Sequence, residues 1–60
     1  MLENIGKRIQ ELRKEKNMTI TALANEANTS RSLISQIESG YTCPSLPTLK
    51  KIVKALGITL

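Results

Sequence analysis

The residues with the most chemical capacity in this chain fall close together. They are Arg31, Ser32, Ser35 and Gln36, in the stretch "ANTSRSLISQIESG" from Ala27 to Gly40. An arginine presents a planar fork of donors and binds paired acceptors such as guanine O6 and N7. A glutamine amide donates and accepts side by side and so matches adenine N6 and N7, while a serine hydroxyl does either with several bases. If the stretch is helical, Ile34 and Ile37 lie about 60° apart on one side. Ser32, Ser35, Gln36 and Ser39 then lie opposite, with Arg31 and Leu33 at the edges. That outward face is rich in hydrogen-bonding groups and poor in bulk. A helix that enters a groove about 12 Å wide needs such short or extensible groups. A face that is only solvated more often carries Glu and Lys, which are better helix formers than Ser. Against this, small polar residues are also simply tolerated at a surface, and on this helix alone the two readings balance.

Composition narrows the choice. Sixty residues make one small domain, and a chain of that length buries only about 60% of the surface its unfolded form exposes. Cys43 is the only cysteine and there is no histidine. A disulfide within the chain is excluded, and a lone cysteine fits a reducing compartment. No metal cluster and no cofactor site are implied, and a redox role for Cys43 lacks supporting charges around it. No carboxylate pair can be placed in a cleft, so the sequence reads as a non-enzyme. No apolar run is long enough to span a membrane, and the start, MLENIGKRIQ, lacks the apolar core of a signal peptide. The expected location is the cytoplasm. Nine basic against five acidic residues give a formal charge of +4, which pulls weakly toward an anionic partner.

Four helices must position the outward face. The first is expected at 2–16, with Ile5, Ile9 and Leu12 as its apolar stripe and Asn17 ending it in a left-handed conformation. Thr19 caps a second at 20–27, whose inner face is Leu23, Ala24 and Ala27. Asn28-Thr29 breaks the pattern, Ser30 caps a third at 31–39, and Gly40 stops it. The fourth, at 46–56, tolerates Pro47 in its first turn and carries Leu46, Leu49, Ile52, Val53 and Leu56, with Gly57 beyond its end. Thr59 reads as the cap of a fifth helix that the chain does not contain. No strand-like alternation, repeat or low-complexity tract interrupts this all-α reading.

A short capped helix, a turn of three to four residues and a second short helix describe a helix-turn-helix. Here "TITALANEANTSRSLISQIESG" resembles the helix-turn-helix of the Cro/C1 (XRE) family of bacterial and phage repressors. "IGKRIQELRKEKNMT" is similar to that family's first helix and "PSLPTLKKIVKALGI" to its fourth, so the resemblance covers nearly the whole chain. "SLISQIESG" with "CPSLPTL" is most like regulators in which such a domain precedes a small cupin sensor.

The resemblance implies a compact four- to five-helix bundle of the lambda-repressor-like type, with residues 1–60 as a single DNA-binding domain and the third helix in the major groove. By position it makes Arg31, Ser32 and Gln36 the main base contacts and Ser35 a secondary one. It assigns phosphate contacts to the starts of helices two and four, near Ile20 and Leu46, and to the hydroxyls of Thr19, Ser39, Tyr41, Thr42 and Thr48. Lys50, Lys51 and Lys54 read as solvating helix four, with direct contact to DNA as the alternative. Arg13 and Glu38 occupy positions that pair in related repressors. Ile20 departs from the family, which typically has Gln there; it either presses on the DNA or props Met18. Asn17 and Asn28 stand where Gly is usual.

The implied partner is double-stranded DNA, with a palindromic operator bound by a homodimer that forms on DNA or through residues absent from this chain. The implied setting is a bacterial or phage-type regulator at the nucleoid. The competing reading is a protein-interaction module, an antitoxin or adaptor built on the same bundle, which should expose apolar residues on helix three. The chain reads either as a domain cut from a longer regulator or as a naturally minimal one.

Overall fold

The computed structural model describes residues 3–58. Four helices follow one another: α1 (Glu3–Glu15), α2 (Ile20–Glu26), α3 (Arg31–Glu38) and α4 (Leu46–Ala55). The expected start of the first helix at Leu2 and the cap at Thr59 lie outside the described residues.

Starts and stops follow one local grammar. Thr19, Ser30 and Ser45 sit in extended conformation before α2, α3 and α4, and each side-chain oxygen accepts from the backbone N–H three residues on. This satisfies one of the orphan donors that every helix start leaves. All four helices end in the same paired closure. Met18, Thr29, Tyr41 and Ile58 donate their N–H to the carbonyls of Arg13, Ala24, Gln36 and Val53, at 3.0, 2.8, 2.9 and 3.1 Å. The residue before each is left-handed: Asn17 (φ 57), Asn28 (φ 55), Gly40 (φ 81) and Gly57 (φ 75). That is the Schellman arrangement, which needs a residue able to take positive φ at its corner. It also explains why the helices end one residue earlier than expected. Lys16, Ala27, Ser39 and Leu56 belong to the closing turns; the Lys16 N–H, for example, is shared between Leu12 and Arg13.

The helices then pack with α3 against both α1 and α2, and α2 against α4. The buried core is Ile9, Leu23, Ala24, Ala27, Ile34, Ile37, Ile52 and Leu56. Ile5, Leu12, Met18, Ile20, Leu33, Leu49, Ala55 and Ile58 pack around it half-buried. Leu46 is a correction: expected in the stripe of the fourth helix, it is 64% exposed. By register it lies about 120° around α4 from the fully buried Ile52, so its side chain points away from the seam.

Candidate nucleic-acid interface

Helix α3 is divided into two faces. Ile34 and Ile37 are 0% and 1% exposed, whereas Arg31, Ser32, Ser35 and Gln36 are all exposed. Their register spreads those four outward residues over an arc of about 140°, centred opposite Ile37. The helix is short, about 12 Å at 1.5 Å per residue, and its whole length therefore fits across a major groove. Ser30 Oγ takes the Leu33 N–H at 3.0 Å, which leaves the N–H groups of Arg31 and Ser32 open at the positive end of the helix.

The opposite end of α3 is held by α1. Arg13 and Glu38 are each 8% exposed and form a two-pronged ion pair, Nε to Oε2 at 2.7 Å and Nη2 to Oε1 at 3.0 Å. The third prong, Nη1, donates to the Met18 carbonyl at 2.7 Å. One guanidinium thus joins the end of α1, the entry to α2 and the last residue of α3. The hydrogen bonds that Arg13 donates to the Glu38 carboxylate raise the Arg13 pKa above its ordinary range, against the opposing effect of burial.

Reading the sequence missed a second attachment. Gly6 is buried within α1, and a Cβ there would overlap the Ile37 carbonyl oxygen and come within 2.9 Å of its carbon. Glycine inside a helix costs about 0.5–1 kcal/mol relative to alanine. The available signal was that cost: a glycine within a helical pattern often marks a close packing approach.

The other candidate contacts occupy the helix starts and the α3–α4 loop. Thr19 is exposed, and its hydroxyl accepts from the Ala22 N–H at 3.0 Å while keeping its own hydrogen free to donate. The Ile20 side chain packs half-buried against the core; what it offers the surface is its N–H. Ser39 is exposed, but its hydroxyl donates to the Gln36 carbonyl at 3.0 Å, so its one hydrogen is engaged. Tyr41 is 83% exposed, Thr42 is half-buried, and the backbone N–H of each turns back to Gln36. The hydroxyl of the half-buried Thr48 accepts from Ser45 at 2.9 Å and retains its hydrogen. Lys50, Lys51 and Lys54 are exposed on α4; the last two border a shallow recess of about 380 Å³ shared with Glu26, Ala27, Asn28 and Ala55. Of all the sequence-predicted residues, Arg13 and Glu38 are the pair brought into direct side-chain contact across the fold.

Comparison with known proteins places this geometry. Residues 9–60 match the helix-turn-helix family. The chain is 46% identical over 54 residues to the immunity repressor protein of Bacillus phage phi105, covering 90% of this chain and 38% of that protein. It is 39% identical over 57 residues to multiprotein-bridging factor 1 of Debaryomyces hansenii, covering 95% of this chain and 38% of that protein. The chain therefore spans less than two fifths of the length of these curated relatives. The crystal structure of the restriction-modification controller protein C.AhdI from Aeromonas hydrophila superposes with a TM-score of 0.93 at 33% identity, over 97% of this chain and 88% of that one. On the strength of the sequence match and the shared fold, the chain belongs to the Cro/C1-type helix-turn-helix family.

Proposed function

We propose that residues 1–60 act as the sequence-specific, double-stranded DNA-binding domain of a transcriptional regulator, with α3 in the major groove. The observation that carries this reading is the outer face of α3: Arg31, Ser32, Ser35 and Gln36 are all exposed, and each is polar, either short or extensible. Arg31 and Gln36 supply the bidentate chemistry that distinguishes guanine and adenine, with Ser32 and Ser35 as adaptable partners between them. Thr19, Tyr41, Thr42 and Thr48, with the N–H groups of Ile20 and Leu46, hold the phosphates that set the register. Ser39 joins them only if its hydroxyl releases Gln36. One domain presents one recognition helix, so a palindromic operator calls for two copies with their helices about 34–36 Å apart. In this reading the copies meet on DNA or through residues outside the chain, and the work is done at the nucleoid without catalysis.

A second reading, as a protein-interaction module, draws on the relative named multiprotein-bridging factor 1 and on the exposed Tyr41 and Leu46. Selection of bound duplexes from a randomised library separates the two. The DNA reading expects an enriched motif with two-fold symmetry. Recovery of unenriched duplexes at every salt concentration would favour the interaction module.

A further inference from the structure

Two parts of α1 touch the same end of α3. At Gly6 the contact is backbone on backbone: besides overlapping the Ile37 carbonyl oxygen, a Cβ there would stand 3.2 Å from Glu38 Cα. Neither partner atom is free to give way. The Ile37 carbonyl accepts the Gly40 N–H at 3.1 Å in the closing turn of α3, and Glu38 is gripped through its carboxylate by Arg13. Gly6 and Arg13 are about two turns, or roughly 10 Å, apart along α1. The Gly6 contact sets how closely the two helix backbones approach, and the Arg13–Glu38 pair holds that same end of α3 in place. Both lie at the C-terminal end of α3, about 10 Å from Arg31 at the other end, so a small tilt about the attached end is largest where the outward residues begin.

We propose that Gly6 is a positioning residue for base reading: with Arg13, it fixes the angle at which α1 presents α3, and so controls DNA specificity without touching DNA. This rests on the DNA-binding reading above for its functional half; the geometric half stands without it. A methyl at Gly6 must push α3 away from α1, whereas an ordinary loss of core packing need not change the angle between them.

The test compares Gly6→Ala with Ile52→Val, a core variant that also lowers stability but lies on α4, at 10 °C where circular dichroism reports the folded fraction. Affinity is measured for the duplex enriched in the selection and for a scrambled duplex. Gly6→Ala is expected to lose about tenfold or more on the enriched duplex, the scale of one lost bidentate contact, and no more than about twofold on the scrambled one. Ile52→Val is expected to keep the wild-type ratio. A wild-type ratio in Gly6→Ala, or an equal fall in Ile52→Val, overturns the proposal. Should Gly6→Ala not fold, Arg13→Lys takes its place, because it keeps the charge but loses the two-pronged grip; an unchanged ratio there overturns the proposal as well. Residual dipolar couplings of the free protein report the α1–α3 angle directly. If the selection enriches no duplex, the DNA reading fails, while an α3 orientation unchanged in the folded variant still refutes the positioning role.

Discussion

Glu38→Ala should cost far more than a surface charge is worth. The Glu38 side chain is 3% exposed and that of Arg13 10%, and the two share bonds of 2.7 and 3.0 Å. Removing the carboxylate strands two guanidinium prongs in a site with little access to water. The third prong, on the Met18 carbonyl at 2.7 Å, keeps the side chain from swinging out freely. Breaking a buried pair from one side typically costs about 3–5 kcal/mol, against about 0–1 kcal/mol for an exposed pair. A domain of this length has roughly 3–9 kcal/mol in total at the usual stability per residue. Glu38→Ala should therefore lower the melting temperature by about 12 °C or more, at roughly 4–8 °C per kcal/mol. Urea titration followed by circular dichroism measures the loss, provided the slope with denaturant stays constant. The double variant Arg13→Met with Glu38→Leu removes both charges and their desolvation, so it should recover most of what Glu38→Ala loses. A Glu38→Ala loss below about 1 kcal/mol, the surface value, would refute the claim that this pair is buried and holds α3.

Three smaller outcomes follow from the same reasoning. The Thr29 hydroxyl is buried without a hydrogen-bond partner among the described residues; Thr29→Val should be neutral or stabilising in the same titration, since it removes an unsatisfied polar atom while keeping the shape. Asn28 is left-handed at φ 55, and Asn28→Gly should raise stability by a few tenths of a kcal/mol to about 1, read as a higher urea midpoint. The exposed Arg8–Glu11 pair, at 3.3 Å, should contribute little: Arg8→Ala is expected to shift stability by less than about 0.5 kcal/mol, with salt reducing the effect further.

What could be read from the sequence was whatever lies within one turn of a residue. The hydroxyl caps at Thr19 and Ser30, the left-handed corners at Asn17, Asn28, Gly40 and Gly57, and the apolar spacing of Ile34 and Ile37 are all local. The structure has each of them. Leu46 was misjudged because apolar character was counted without register: it begins α4 on the wrong side of the helix. Gly6 left one local signal, a glycine inside a helix, but not what approaches it; the Met18 carbonyl contact left none, because both depend on how closely two distant segments approach, and no spacing within one helix encodes that distance. Thr29 shows the same limit, since the burial of its hydroxyl is a property of the packed fold and not of the turn's own sequence. The candidate interface residues were legible as a polar face, but the hydrogen bond that engages Ser39 on Gln36 appears only in three dimensions.

The central claim is that the outward face of α3 reads bases. The direct measurement is the affinity of Arg31→Ala and of Gln36→Ala, each for the selected duplex and for a scrambled one at a single fixed salt concentration. Each substitution is predicted to lose about 1–3 kcal/mol on the selected duplex, the worth of one bidentate contact, and distinctly less on the scrambled one. Equal losses on both duplexes would contradict the account, because they would make α3 a phosphate-binding surface that carries no sequence information.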